Sequence, residues 1–425
     1  MNQPNRLAAR AAAQAIAAKK LRAVELVEAS LARIAEREPT VHAWAHLDRD
    51  LALKEARARD TEAPRGPLHG VPVGVKDIID TADMPTEHGS PMHKGNRPAI
   101  DAACVALVRR AGGIILGKTV TTEFASSPPA RTRNPLNPEH SPGGSSSGSA
   151  AAVADFHVPI GFGTQTAGSV IRPSAYCGLV GFKPSYGAYA VSGVKLLAHS
   201  LDTLGTLTRS VDDALLMWEV LQAAPAAPVA VRERPRIGLC HTPFWSQADK
   251  AAVDAFEAAA RKLAASGFDL EIVELPAWFE TLHEHHRVIA EYESARNTAF
   301  ECAPERFHLH SATMQAARER GWRLTPERYS AARSAQSRGR NELASVLGGF
   351  DALMMPSAPG EAPRGLSTTG DPVFNRLASL LHVPAICVPV MKGPQGLPVG
   401  VQFVGTYGDD LRLLHLARRI EDLFA

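Results

Sequence analysis

The sequence predicts an α/β protein, a three-layer α/β/α sandwich around a large mixed β-sheet. Two observations carry this. Short apolar runs of strand length alternate with helical stretches along most of the chain. The 425 residues are 45% hydrophobic and 21% charged, enough apolar material for one large core. No internal repeat is visible. The expected organisation is one domain over 1–425, with N-terminal helices inside 1–65 and a helical, pocket-lining region at 277–346.

Residues 5–37 read as two helices. In the second, Val24, Val27, Leu31 and Ile34 recur close to the helical period, and Pro39 closes it. Residues 71–75 read as a short buried strand that ends at Lys76-Asp77. A helix is expected over 102–110 and a β-like apolar run over 113–117. Residues 126–149 are rich in Pro, Gly, Ser and Asn and read as loop. A short helix follows at 150–154 and a strand at 158–163. A second strand–helix alternation starts at 235–239, with a helix over 249–266 and a strand near 270–273. Strands return at 352–355, 385–389 and 399–404, and 409–424 closes the chain as an amphipathic helix. Residues 223–230 form a short candidate linker.

Lys and Arg total 46 against 44 Asp and Glu, a net charge of +2, so bulk electrostatics favour neither nucleic acid nor an anionic membrane. Cys104, Cys177, Cys240, Cys302 and Cys387 are odd in number and scattered, without a C-x-x-C pair. They are expected to be buried, reduced thiols rather than a disulfide framework or a zinc site. Arg6, Arg10, Lys19 and Lys20 interrupt the alanine-rich start, which lacks the apolar core of a signal peptide. No run approaches the ~18 apolar residues of a membrane helix. The expectation is a soluble, cytoplasmic protein with a small-molecule substrate, no nucleic-acid or membrane partner, and room for a homodimer.

Four short matches are weighed and set aside. Gly112 to Thr119 fits the P-loop expression, but its Gly-Ile-Ile-Leu interior looks like a strand, which disfavours a nucleotide-binding protein. Ser146 centres a G-x-S-x-G, but the Pro- and Asn-containing stretch before it cannot be the strand a nucleophile elbow needs. Ser192 to Lys195 fits S-x-x-K without its companion motifs. His283 and His286 have one-face helical spacing but no third ligand nearby, so a solvated helix face is expected and no metal.

A larger pattern remains. Pro142-Gly143-Gly144-Ser145-Ser146-Ser147-Gly148-Ser149 and three alanines are followed by Gly163-Thr164-Gln165-Thr166-Ala167-Gly168-Ser169. Arg172-Pro173 and the run from Cys177 to Pro184 come next. A flexible Ser-Gly linker is a poor account, because strand-like and helix-like runs stand tightly on either side. Together with the stretch ending at Lys76-Asp77, this pattern resembles the amidase signature family of serine hydrolases. The resemblance is strong from Gly70 to Arg209 and looser over most of the chain.

The resemblance implies a Ser-Ser-Lys triad, with Lys76 as base, Ser145 as relay and Ser169 as nucleophile. It also implies an oxyanion hole from the backbone N–H groups of Thr166, Ala167, Gly168 and Ser169, and a cis peptide at Gly144–Ser145. The chemistry suits these residue types. A serine hydroxyl needs an adjacent base, and a lysine serves only when burial keeps it neutral. The implied reaction is hydrolysis of a C–N acyl bond (in a small amide, an aryl amide or a carbamate) through an acyl-enzyme, with no cofactor. Gly144, Ser146 and Arg172 are candidates for substrate contact. Arg172 has two readings, a clamp on backbone carbonyls or a fork for a substrate carboxylate. The sequence departs from many members in having Gln165 for Asp, Ala167 for Gly, and its arginine three residues past the serine. The competing reading is the amidase subunit of a tRNA-dependent amidotransferase, which shares the triad.

Overall fold

The computed structural model describes residues 3–227 and 229–424, so Pro228 of the candidate linker lies outside the described residues. Eleven strands are described: β1 Trp44–Leu47, β2 Pro72–Lys76, β3 Ile114–Thr119, β4 Ile160–Gln165, β5 Val180–Lys183 and β6 Thr203–Thr208, then β7 Arg236–Cys240, β8 Asp269–Val273, β9 Ala352–Pro356, β10 Ala385–Lys392 and β11 Pro398–Val404. They form one sheet in the order β1-β3-β2-β4-β6-β5-β10-β11-β9-β7-β8. The pairs β2–β3, β2–β4, β7–β8 and β7–β9 are parallel, and the rest are antiparallel. Helices cover both faces, which gives the expected three-layer α/β/α sandwich around a mixed sheet.

The strands nearest the site are buried along their whole length, as parallel strands covered on both faces should be. β2 reads Pro-Val-Gly-Val-Lys and delivers Lys76 at its carboxyl end, into the interior. β3 contains the P-loop match. Its Lys118 is no phosphate ligand: Nζ donates to Thr86 Oγ1 and the Pro85 carbonyl and faces Asp77.

Two short helices flank the site, one carrying the end of the serine motif and the other the residues just past Ser169. Helix Ser147–Ala154 is Ser-Gly-Ser-Ala-Ala-Ala-Val-Ala, and only its last residue is not fully buried. A helix packed on every side must be built of small residues, so its composition reflects crowding rather than flexibility. The strand beneath it makes the same concession. A Cβ on Gly163 of β4 would lie 2.8 Å from Ser146 Oγ. Helix Ile171–Cys177 is buried throughout and packs on β5, β10 and β11.

Two local expectations need correcting. Pro39 does not end the second helix, which runs from Ala23 to Val41 and stops at His42 in the left-handed region (φ 53). Glu38 caps the departure by accepting the N–H groups of Ala43 and Trp44. The 1–65 segment also contains a strand, since β1 pairs antiparallel with β3 at the sheet edge. Within 277–346, helix Leu282–Asn297 packs against Ala312–Arg323 and Pro326–Leu347.

Candidate active site

Lys76 Nζ meets three hydroxyls: Ser145 Oγ at 2.8 Å, Thr164 Oγ1 at 2.9 Å and Ser146 Oγ at 3.1 Å. It has no carboxylate within ion-pair distance among the described residues. Burial lowers its pKa from 10.5 to about 7, against a weak opposing pull from Asp202. An ammonium would give one proton to each hydroxyl. A neutral amine gives two and accepts one, so a hydroxyl can hydrogen-bond to its lone pair. The Ser146 hydroxyl faces the Thr164 carbonyl at 3.5 Å, which leaves the hydroxyls of Ser145 and Thr164 to donate to that lone pair.

Ser145 follows Gly144 through a cis peptide bond, as the resemblance implied. Its carbonyl accepts the N–H of Thr122 at 3.3 Å. Ser146, a candidate for substrate contact, is fully buried against Lys76 and Thr164.

Ser169 sits on the turn between β4 and helix Ile171–Cys177. It is 8% exposed, and its hydroxyl makes no hydrogen bond among the described residues. The turn itself is held from four sides. Gln165 Oε1 accepts the N–H groups of Val170 (3.0 Å) and Ile171 (3.1 Å), and its Nε2 donates to Ser379 Oγ. Thr166 Oγ1 donates to Asp202 Oδ1. The Thr166 carbonyl meets His286 Nε2 at 2.9 Å, and the Ala167 carbonyl accepts from Ser379 Oγ at 2.9 Å. With the carbonyls and flanks occupied, the N–H groups of Thr166, Ala167, Gly168 and Ser169 donate to no acceptor among the described residues. Four adjacent donors without partners in a half-buried turn are a ready site for a negative oxygen. Gly168 is required by close approach, since a Cβ there would lie 2.5 Å from Asn375 Oδ1.

Arg172 NH2 donates to the Gly144 carbonyl at 2.6 Å and to Thr369 Oγ1 at 3.1 Å. This is the backbone-clamp reading, placed on the peptide before Ser145. Its Nε is buried and unpartnered, so the fork is only partly used. The structure thus seats Arg172 against Gly144 and Thr369.

Thr164, Asp202, His286 and Ser379 were not singled out as site residues by the sequence. The only signal among them was the His283–His286 cluster, and there the expectation of a solvated face is overturned. His286 is buried against Thr166, and His283 is stacked on Phe244 at 3.6 Å between ring centroids. Burial first, then Arg376, lowers the pKa of His283 to about 3, so it is neutral. Asp202 is pushed up to about 6 by burial, against hydrogen bonds from Thr166, Ala198 and Leu197. No group of three His, Cys, Asp or Glu side chains among the described residues is arranged to hold a metal ion.

The comparisons with known proteins show the family and the fold. The Amidase family model matches residues 25–414, and the chain belongs to that family. It is 33% identical to the A subunit of the glutamyl-tRNA(Gln) amidotransferase of Anaeromyxobacter sp. (strain K), over 98% of this chain and 96% of that protein. The counterpart from Chloroflexus aurantiacus is 32% identical, over 98% and 96%. A crystal structure of an amidase superposes with a TM-score of 0.90 at 31% identity, covering 99% of this chain and all of the other. The native peptide amidase from Stenotrophomonas maltophilia gives 0.84 at 30% identity, covering 99% and 97%. No described helix is long and apolar enough to cross a membrane.

Proposed function

We propose that the protein is an amidohydrolase in which Lys76, Ser145 and Ser169 act as base, relay and nucleophile. The observation that carries this reading is the Lys76–Ser145 hydrogen bond of 2.8 Å, made by a lysine that burial holds near pKa 7. Ser169 Oγ attacks the acyl carbon while its proton passes to Ser145, whose own proton passes to Lys76. The open N–H groups of 166–169 receive the oxyanion. Return of the proton through Ser145 releases the amine, and water then resolves the acyl-enzyme by the same path.

For substrate, we favour a short amide that bears a carboxylate, as in malonamidase. The stretches 76–81, 84–87, 140–152 and 163–173 look similar to that enzyme. Arg172 supports this choice, because its guanidinium is held on the Gly144 carbonyl, next to the proposed relay serine, with Nε unpartnered. Aryl amides and carbamates use the same triad and differ in leaving group, so urethanase activity is the competing outcome. A second reading rests on the amidotransferase subunits that match over nearly the whole chain: an amidase component that hands ammonia to a partner.

The test is ammonia or amine release from malonamate, an uncharged primary amide of similar size, an anilide and an aryl carbamate. Malonamate is expected to lead its uncharged match, and Ser169→Ala to abolish turnover. Preference for the anilide or carbamate would remove the carboxylate role of Arg172. Retained activity above a few per cent in Ser169→Ala would remove the nucleophile. Native purification that yields a stable heteromer would favour the amidotransferase reading.

A further inference from the structure

Phe124 (φ 47) and Ala125 (φ 57) are the only adjacent non-glycine residues in the left-handed region among the described residues. A Cβ makes that region costly, so such a pair persists only where its surroundings impose it. We propose that this turn, locked by the Glu123–His310 pair, sets the spacing between Lys76 and Ser145. Glu123 and His310 are then positioning residues, a role that rests on Lys76 and Ser145 acting as base and relay.

Hydrogen bonds tie the turn to both segments. The Phe124 N–H donates to the His88 carbonyl at 2.9 Å. The His88 N–H in turn donates to the carbonyl of Asp77, the neighbour of Lys76, also at 2.9 Å. On the other side, the Thr122 N–H donates to the Ser145 carbonyl at 3.3 Å. The Val120 carbonyl accepts the N–H of Gly148 at 3.0 Å, so 120–122 also braces the start of helix Ser147–Ala154. Base and relay are therefore joined twice, directly at 2.8 Å and by way of the turn. Within the turn, the Ala125 N–H returns to the Thr122 carbonyl at 2.9 Å, and Thr122 Oγ1 donates to the Ser126 carbonyl at 3.1 Å. A backbone change at 124–125 moves Thr122, and with it the brace on the Ser145 peptide.

The helical region supplies the lock. The buried Glu123 carboxylate has Oε1 3.1 Å from His310 Nδ1, and its Oε2 accepts the N–H of Ser311 at 3.3 Å. Ser311 is the N-cap of helix Ala312–Arg323, whose open N–H end favours a carboxylate. Phe124 is buried as well. Its ring centroid lies 5.5 Å from that of His310, 5.8 Å from His93 and 6.2 Å from His88. Carboxylate, ring and backbone of 123–124 are all held by groups distant in sequence, which is what keeping two left-handed residues requires.

The test is the rate at which a fluorophosphonate labels the native full chain. The adduct is located by peptide mass mapping, and the unfolding midpoint in urea is measured beside it. Glu123→Gln keeps the side chain's size and weakens both of its contacts. It is expected to lower the maximal labelling rate about 10- to 100-fold, the scale of a ~1 Å misplacement, with the half-saturating concentration unchanged. Adding Ala125→Gly to Glu123→Gln is expected to recover about threefold or more, because glycine holds φ 57 without a Cβ. If Glu123→Gln does not fold, His310→Gln, alone and with Ala125→Gly, takes its place with the same expectations. A lower unfolding midpoint with an unchanged labelling rate would overturn the positioning role. A double variant no faster than the single one would overturn the part played by the left-handed pair. A wild-type adduct on a residue other than Ser169 would instead remove the triad, and this role with it.

Discussion

The side-chain oxygen of Gln165 lies 3.0 Å from the backbone nitrogen of Val170, so one residue at the end of β4 closes the turn that carries Ser169. It takes up the N–H groups of Val170 and Ile171 and leaves the preceding four free. Gln165→Leu should keep the fold, strand two buried donors, and let the turn move. The expected loss in kcat is about 10- to 100-fold, smaller than the ~100- to 1,000-fold typical of deleting an oxyanion donor outright. Steady-state kinetics beside a far-UV spectrum check it.

The pH profile follows from the lysine. Only neutral Lys76 can accept a proton, and burial sets its pKa at about 7. The rate should therefore rise about tenfold per pH unit below that value and level off above it. A profile of kcat/KM between pH 5.5 and 9.5 reads this directly; a steady fall from pH 6 to 9 with the protein folded would contradict it.

The same shift acts on stability, with its sign set by which state binds more protons. The folded-state pKa lies below the unfolded value of 10.5, so between about 7 and 10.5 the unfolded chain holds the extra proton and stability rises with pH. Lys76→Met removes this term. Its stability relative to wild type should therefore decline as pH rises through that window, by about 1.4 kcal/mol per unit at most. Urea unfolding of both proteins at pH 7 and 9.5 measures the difference, which leaves out the parallel titration of buried Lys183.

Arg172→Met should lower kcat/KM on every substrate, because NH2 no longer holds the Gly144 carbonyl beside Ser145. If the remaining donors also grip a carboxylate, malonamate should lose about tenfold or more beyond its uncharged match, on the scale of one charge-assisted hydrogen bond. Equal losses on both substrates would leave Arg172 as a clamp alone.

The sheet and the serine motif were legible because each is local. Residues 71–75 and 399–404 are apolar runs, and the pattern from Pro142 to Ser169 carries its spacing in plain view. The supports of the Ser169 turn were not legible, because they come from far along the chain. Asp202 reaches Thr166 across 36 residues, His286 reaches it across 120, and Ser379 reaches Ala167 across 212. Each is an unremarkable polar residue in its own neighbourhood. The cluster at 283–286 misled for a related reason. Two exposed-looking histidines on a charged helix gain their burial from Phe244 and the turn after β4, which helical periodicity cannot report. β5 and β6 escaped notice because Val180–Lys183 is short and Thr203–Thr208 is mostly Thr and Gly.

The central claim is that Ser169 is the nucleophile and that Lys76 activates it through Ser145. A fluorophosphonate tests this without knowing the substrate, because the serine oxygen bonds to phosphorus as fluoride leaves. Labelling rates of wild type, Lys76→Met and Ser145→Ala, with the adduct located by peptide mass mapping, are the measurement. A single adduct on Ser169 is expected, formed at least ~100-fold more slowly in both variants, within the range expected when a positioned base is lost. An adduct on Ser145 or Ser146, or a folded Lys76→Met that labels Ser169 as fast as wild type, would contradict it.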